Sequence, residues 1–269
     1  LRTLAAGLAG ANRGSKVPLV VGRRPDLNAV QVTIAPLGIA TAGQLRFVDR
    51  ALRRFGLVVR VRQAGAVAAT TLPCRGVFCD PPLRAGVWDY SHLIGCTGGF
   101  MVRSVTDAKL FQSTAGHCRV VWDSTWLTNF ASGSTHTIGP FHSSRFDRSG
   151  DAGLIRVTNP TGWRARAWID VRAGKGVTPD EDYRVLADAD PLVGQRVCVT
   201  GAGSVASSCG VVRAVGVTTT YSDRGVTVGG LDEADFCTKP GDSGSPVYSN
   251  HVAYGLVSGN VGACDSLFE

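Results

Sequence analysis

Two short motifs, far apart in the chain, hold residue types that can carry out acyl transfer. Residues 114–118 read TAGHC and residues 241–246 read GDSGSP, so His117 is a candidate base and Ser243 a candidate nucleophile. A serine hydroxyl is a weak nucleophile at neutral pH unless an adjacent base takes its proton. The two motifs therefore predict a Ser–His site, formed where the fold brings them together.

The histidine of such a site needs an acceptor that fixes its tautomer and its orientation. Asp151 lies between the two motifs, in the stretch SGDAGLI, and opens an apolar strand in which a carboxylate can be buried and held. Asp147 is the rival candidate, but it lies in a polar stretch, which favours exposure. We therefore expect His117, Asp151 and Ser243 to form a catalytic triad.

Taken together, TAGHC, a Gly-Asp before an apolar strand, and CTKPGDSGSP occur in the order His, Asp, Ser. They resemble the bacterial chymotrypsin-like serine proteases of the streptogrisin and α-lytic protease group, over roughly residues 83–269. α/β-Hydrolases and subtilisins carry the same residue types in other orders. The resemblance implies an all-β catalytic domain of two six-stranded barrels. It also implies a secreted serine endopeptidase that forms an acyl-enzyme and needs no metal or organic cofactor.

The same resemblance assigns further site residues. The backbone amides of Gly241 and Ser243 would form the oxyanion hole, and five residues would line the substrate pocket: Thr238, Val257, Ser258, Gly259 and Asn260. Neither of the two segments that would form the pocket walls, 237–239 and 257–260, contains a carboxylate, so a preference for Arg or Lys is not expected. Thr238 and Val257 predict a small to medium apolar residue before the scissile bond.

The eight cysteines are even in number and include no CxxC pair, which favours disulfides and an oxidising compartment over metal or redox sites. Buried free thiols in a cytosolic protein are the alternative. Cys74 and Cys79, flanked by prolines, predict a short local bridge. The resemblance implies three further bridges, Cys96–Cys118, Cys198–Cys209 and Cys237–Cys264.

Three positions depart from the pattern of that group. Val199 stands where an arginine usually pairs with the aspartate before the nucleophile, here Asp242, so Arg196 or another cation is expected to replace it. Ser245 stands where glycine is commoner. The group continues beyond the last cysteine with a strand and a helix, whereas the sequence ends at Glu269, which predicts an incomplete final barrel. Val199 and the short C-terminus motivate the alternative of a catalytically silent, protease-like binding protein.

From Val87 onward, short β-like runs alternate with Gly, Ser and Asn, and no segment has a helical period. This pattern, together with 34 glycines and 44% hydrophobic against 18% charged residues, is typical of a β-sandwich or barrel. We predict strands at 154–157, 167–171, 196–200, 211–217 and 252–257.

The first part of the chain has a different pattern. Strands are predicted at 17–21, 29–34 and 57–61, with a capped amphipathic helix over 41–56. We expect a small basic α+β unit over 1–72, a linker with a local disulfide over 73–85 and the protease domain over 86–269. The first unit loosely resembles the pro-regions of such proteases, which act as folding aids and intramolecular inhibitors. An accessory, permanently attached domain is an equal alternative.

The net charge of +7 is uneven, because residues 1–80 hold 12 Lys and Arg against 3 Asp, a net +9, which leaves −2 for the rest. A basic segment can bind nucleic acid or membranes, but no aromatic residues interleave with these arginines and no nucleic-acid motif is present. We interpret the segment as a charge-complementary partner of the rest of the chain. The expected partners are protein or peptide substrates, with no nucleic acid, no membrane and a monomeric state.

Two other features bear on the class of protein. No apolar run reaches the roughly 18 residues that span a bilayer, so no membrane-spanning segment is expected. The sequence opens on Leu1, and its apolar first ten residues lack a cationic stretch, so they are at most the tail of a targeting segment and we expect a fragment. The stretch GAGSVA at 201–206 mimics a dinucleotide fingerprint, but no helix pattern follows it. Because Cys198 and Cys209 bracket it, we predict a disulfide-bonded hairpin.

Overall fold

The computed structural model describes residues 20–24, 29–34, 59–63, 74–174, 176–262, 264 and 266–269. The chain divides into two compact units, Leu1–Thr70 and Thr71–Glu269. Within the described residues, no helix is long and apolar enough to cross a bilayer.

The first unit contains a three-stranded sheet formed by β1 (Val20–Arg24), β2 (Ala29–Ile34) and β3 (Val59–Gln63). β1 and β2 are antiparallel, whereas β2 and β3 are parallel. β2 has the predicted bounds, and the other two strands lie two to three residues later than predicted. The helix expected at 41–56 lies outside the described residues.

The second unit begins with a hairpin of β4 (Cys74–Arg75) and β5 (Phe78–Cys79), closed by the Cys74–Cys79 disulfide. A seven-stranded antiparallel sheet follows, with strand order β7-β6-β10-β11-β12-β9-β8. Its strands are β6 (Trp88–Tyr90), β7 (Gly95–Thr97), β8 (Met101–Arg103), β9 (Leu110–Thr114), β10 (Thr125–Asn129), β11 (Thr135–Asp147) and β12 (Gly150–Arg156).

A single-turn helix, α1 (Pro160–Trp163), and a β13–β14 hairpin lead into a second seven-stranded sheet, of order β15-β20-β19-β16-β17-β18-β21. The strands from β13 onward are β13 (Trp168–Val171), β14 (Asp180–Arg184), β15 (Ala187–Asp188), β16 (Arg196–Gly201), β17 (Ala206–Tyr221), β18 (Val226–Ala234), β19 (Pro246–Ser249), β20 (Val252–Asn260) and β21 (Ser266–Phe268).

β21 pairs with both β18 and β20, which closes six strands of the second sheet into a ring. This closure differs from the incomplete final barrel expected from the short segment after Cys264. The two curled sheets confirm the predicted all-β, double-barrel fold, although each sheet has seven strands rather than the expected six.

Each sheet encloses its own apolar core. Trp126, Ile138 and Ile155 are fully buried in the first core, and Phe236 and Phe268 are fully buried in the second. In the first core, Ile155 of β12 is followed by the exposed Arg156, as the period of two in a half-buried strand requires. The two cores fix the strand ends from which the candidate site is built.

Candidate active site

His117 lies in a 3₁₀ turn, Gly116–Cys118, directly after β9. The Cys96–Cys118 disulfide ties this turn to β7. Gly116 is required by close packing, because a Cβ atom there would lie 1.8 Å from the carbonyl oxygen of Arg145. The TAGHC motif therefore fixes the imidazole on a turn that is anchored on both sides.

Asp151, the second residue of β12, is fully buried and contacts His117 twice. Its Oδ1 accepts the backbone N–H of His117 at 2.9 Å, and its Oδ2 lies 2.7 Å from Nδ1. An ionised carboxylate only accepts hydrogen bonds, so Nδ1 carries the proton and Nε2 is left as an acceptor. The side chain of Glu269 accepts the backbone N–H of Asp151.

Ser243 completes the constellation, with its Oγ 2.9 Å from His117 Nε2. It lies in a tight loop between two glycines with positive φ, Gly241 at +94° and Gly244 at +85°. The Gly244 amide donates to the carbonyl of Val257 at 2.7 Å, which joins the loop to β20. The fold thus presents the serine hydroxyl to the unprotonated nitrogen of the imidazole.

The amides of Gly241 and Ser243 are the predicted oxyanion donors. Within the described part of the chain, neither amide donates to a protein acceptor. The Ser243 carbonyl is held by the Thr97 amide at 2.8 Å, and the Gly241 carbonyl accepts the Thr97 hydroxyl at 2.8 Å. The peptide groups around the two amides are therefore fixed while the N–H groups themselves remain available.

Asp242 is held by backbone amides. Its Oδ1 accepts the N–H of Ser204 and its Oδ2 accepts the N–H of Lys239, each at 2.8 Å. Arg196, which the sequence offered as a replacement cation, is exposed and is not one of these partners. Hydrogen bonds from amides stabilise a buried carboxylate without a contacting cation.

A buried cation that acts electrostatically on this carboxylate is Arg172, which is only 9% exposed. Its guanidinium donates to the carbonyl oxygens of Gly76, Gly86 and Gly201 and forms an ion pair with Asp170 at 2.9 Å. Burial lowers the pKa of Arg172 and raises that of Asp170, although each charge partly opposes the shift of the other. Arg172 thus joins the start of the second unit to the strand end beside Asp242.

A cavity of about 270 Å³ opens beside the nucleophile. It contains all five pocket residues predicted from the sequence, together with His117 and Ser243: Thr238, Val257, Ser258, Gly259 and Asn260. A larger depression, of about 640 Å³, contains none of the predicted site residues.

Sequence reasoning missed four residues of the smaller cavity: Tyr221, Asp223, Arg224 and Pro240. The Arg224 guanidinium donates to the carbonyl of His117 at 2.9 Å, and the Tyr221 ring lies 6.3 Å from the imidazole. The tight turn that follows β17 brings them there. No local pattern in the sequence indicates that this turn reaches the histidine.

Asp147, the rival candidate, and the GAGSVA stretch at 201–206 are not part of the candidate triad. Asp147 is exposed and accepts the backbone N–H and hydroxyl of Ser149, which lower its pKa, so the structure does not bring it to His117. The GAGSVA stretch forms the β16–β17 hairpin bracketed by the Cys198–Cys209 disulfide. Cys237–Cys264 is the fourth bridge, so the chain has no free cysteine.

One metal-like cluster occurs within the described residues. It combines Cys74, Cys79 and Asp170. The two sulfur atoms are joined to each other in a disulfide, so they cannot act as thiolate ligands.

Comparison with known proteins gives consistent matches over the second unit. The sequence profile of the Trypsin family matches residues 85–267. Serine protease 2 from Streptomyces fradiae is 35% identical over 170 residues, which cover 63% of this chain and 88% of that protein. Streptogrisin-C from Streptomyces griseus is 29% identical over 68% of this chain, but the chain spans only 36% of its length.

Among solved structures, an α-lytic protease homologue, N4, superposes with a TM-score of 0.54 at 28% sequence identity. The match covers 69% of this chain and 91% of that one.

Proposed function

Because the chain belongs to the trypsin family of serine endopeptidases, we propose that Ser243, His117 and Asp151 are the triad with which it hydrolyses peptide bonds. The resemblance to the streptogrisin and α-lytic protease group is confirmed by the matches, and the substrates of this family are proteins and peptides. The observation that carries the proposal is the unbroken set of contacts from Ser243 Oγ through His117 to Asp151, at 2.9 and 2.7 Å.

The contacts support a two-step reaction. The Ser243 oxygen forms a bond to the carbonyl carbon of the scissile peptide while its proton passes to His117 Nε2. The C–N bond then breaks, the amine leaves with that proton, and Ser243 is left as an ester. Water repeats the sequence, giving up a proton to Nε2 and releasing the acid and the free serine. Asp151 keeps the Nδ1 proton in place throughout and stabilises the imidazolium.

The oxygen of the scissile carbonyl becomes negatively charged during both steps. We propose that the Gly241 and Ser243 amides bind that oxygen. Preorganised donors of this kind stabilise charge that develops only in the transition state, and removal of one costs roughly a hundredfold to a thousandfold in kcat. The support is that Thr97 holds the carbonyl groups of both residues and that both N–H groups are available within the described residues.

For specificity, we propose a small to medium apolar residue before the scissile bond. The hydroxyl of Thr238 lies 2.7 Å from that of Ser266, and Ser266 in turn donates to the carbonyl of Phe236. These polar groups satisfy one another at the buried Thr238, whereas the charged residues that line the cavity, Lys239, Asp223 and Arg224, are all exposed. Asp223, its one carboxylate within the described residues, is 73% exposed and adjoins Arg224.

We propose that the protein is secreted. Eight cysteines in four disulfides require an oxidising compartment, because thiols are kept reduced in most cytosols. Two of the bridges flank the candidate triad directly: Cys96–Cys118 next to His117 and Cys237–Cys264 in the loop before Ser243.

For domain organisation, we propose a pro-region-like unit over 1–72 and a catalytic unit that also contains much of the segment first interpreted as a linker. Within that segment, Leu83 and Arg84 are buried. Arg84 donates to the Glu181 carbonyl at 2.6 Å and to Asp182 at 3.0 Å. A catalytic fragment that begins at Gly86 would lose these contacts, so we expect the functional boundary to lie before Cys74.

The proposed activity is tested with a panel of short peptides that differ only in the residue before the scissile bond. We expect hydrolysis of the Ala, Val and Leu peptides at least about tenfold faster than of the Arg and Lys peptides, and no hydrolysis by Ser243→Ala. Equal hydrolysis by wild type and Ser243→Ala, both as the full chain and as a chain that begins at Thr71, would refute the triad. Preference for Arg or Lys would refute only the specificity.

A further inference from the structure

The last residue of β17, Tyr221, touches the candidate triad indirectly. Its hydroxyl lies 2.6 Å from Ser258 Oγ, and Ser258 Oγ lies 2.5 Å from Asp151 Oδ2. Both contacts are sheltered, because Ser258 is only 1% exposed and Asp151 is fully buried. A continuous line of hydrogen bonds therefore runs from Tyr221 through Ser258 and Asp151 to His117.

The direction of each hydrogen bond follows from counting protons. The Asp151 carboxylate can only accept, and a serine hydroxyl has one proton, so Ser258 donates to Asp151. The Ser258 oxygen must then accept at its other contact, so the proton between Tyr221 and Ser258 belongs to the tyrosine. Tyr221 thereby prevents the Ser258 hydroxyl from rotating away and polarises it toward the carboxylate.

The surroundings of Tyr221 hold its ring in one place. The ring packs at 5.3 Å from Phe146 and at 6.3 Å from the His117 imidazole. Gly259 leaves room for it, since a Cβ atom at that position would lie 2.8 Å from the tyrosine oxygen. Burial raises the pKa of Tyr221 above its ordinary value, so the hydroxyl stays protonated at neutral pH.

We propose that Tyr221 is a positioning residue, whose hydroxyl orients Ser258 toward Asp151 and so keeps the carboxylate aligned on His117. This inference rests on the proposed triad. It assigns Tyr221 a role in the chemical step, although the residue also lines the substrate cavity.

The test is a double-mutant cycle of Tyr221→Phe and Ser258→Ala on the full chain, read as kcat and KM for one peptide. Tyr221→Phe keeps the ring and removes only the hydroxyl. We expect kcat to fall about fivefold to tenfold with KM within twofold, the size of one lost hydrogen bond that acts on the transition state. In the Ser258→Ala background the same change should alter kcat less than about twofold, because its partner is already absent.

Tyr90→Phe serves as the matched control, since it removes a half-buried tyrosine hydroxyl that bonds Asn129 at 2.7 Å in the first sheet. We expect its kcat within twofold of wild type. A rise in KM alone for Tyr221→Phe, or an equal loss of kcat in both backgrounds, would overturn the proposal.

The rate of acylation by a small organophosphate gives a second readout. This probe makes no peptide contacts, so it should also react more slowly with Tyr221→Phe than with wild type, and an unchanged rate would overturn the proposal. Failure of the triad itself would look different, because wild type would then hydrolyse no faster than Ser243→Ala even as a chain that begins at Thr71.

Discussion

The carboxylate of Asp151 holds His117 at two points, with one oxygen on the backbone N–H at 2.9 Å and the other on Nδ1 at 2.7 Å. A single buried group thus sets both the position of the histidine backbone and the rotation and tautomer of its ring. An amide side chain of the same shape has only one accepting oxygen, so it cannot make both contacts.

Asp151→Asn should therefore retain the fold but lose activity. If its NH₂ group faces Nδ1, the ring proton is forced onto Nε2, which can then no longer accept from Ser243. We expect kcat/KM to fall by about four orders of magnitude, the scale seen when this acceptor is replaced by an amide in such triads. Peptide hydrolysis measures the loss, and a thermal melt checks the fold. Asp147→Asn is the control, expected within twofold of wild type; the reverse pattern would contradict the assignment.

Arg172→Met should destabilise the second unit. The change leaves three backbone carbonyls without their donor and Asp170 buried without its cation. Removing one partner of a buried ion pair costs about 3–5 kcal/mol, and we expect a loss of that size in the free energy of unfolding, measured in urea. Arg196→Met, an exposed position on the adjoining strand, should change stability by less than about 0.5 kcal/mol. If both substitutions change the free energy of unfolding equally, Arg172 contributes no more to stability than an exposed arginine.

Asp89→Asn should stabilise the protein at neutral pH. Burial raises the pKa of Asp89 well above its ordinary value, and its carboxyl oxygens have no partner within the described residues. The folded state therefore keeps the proton after the unfolded chain has lost it, at about pH 3.9. Below that pH, the full contribution of Asp89 to the free energy of unfolding is present. As the pH rises toward the folded pKa, this contribution is lost by up to about 1.4 kcal/mol per pH unit.

The measurement is the free energy of unfolding of wild type and Asp89→Asn between pH 4 and pH 8. We expect the advantage of the variant to grow with pH. The exposed Asp107→Asn is the control, because hydrogen bonds from Lys109 and Ser104 lower the pKa of Asp107, which opposes a shift of this sign. If the free energies of unfolding of wild type and Asp89→Asn differ by the same amount at every pH, Asp89 is ionised in the folded protein.

The candidate triad could be predicted from the sequence because each member lies in a short motif whose residue types determine its local structure. Gly116 permits the turn at His117, the apolar strand buries Asp151, and two glycines shape the loop of Ser243. The support for Asp242 could not be predicted in the same way. Its partners are backbone amides, which every residue type except proline supplies. Arg172 directly follows β13, whereas the position where the family pattern placed a cation, Val199, lies in β16.

The strands were located more reliably than their ends. β20 continues to Asn260, three residues beyond the predicted run, because its last residues pair with β21 rather than pack as an apolar core strand. β17 extends to Tyr221 through a polar stretch of threonines. β18 pairs with this strand up to its last residue, Tyr221, through three register shifts that no local sequence pattern indicates.

The most direct test of the central claim is intact-mass analysis after exposure to a fluorophosphonate, applied to the full chain and to a chain that begins at Thr71. We expect one adduct, mapped to Ser243 and absent from Ser243→Ala, on at least the shorter chain. Labelling of the shorter chain alone would indicate that the first unit covers the site. If neither chain is labelled while melting curves show both to be folded, or if the adduct lies on another residue, Ser243 is not the activated nucleophile.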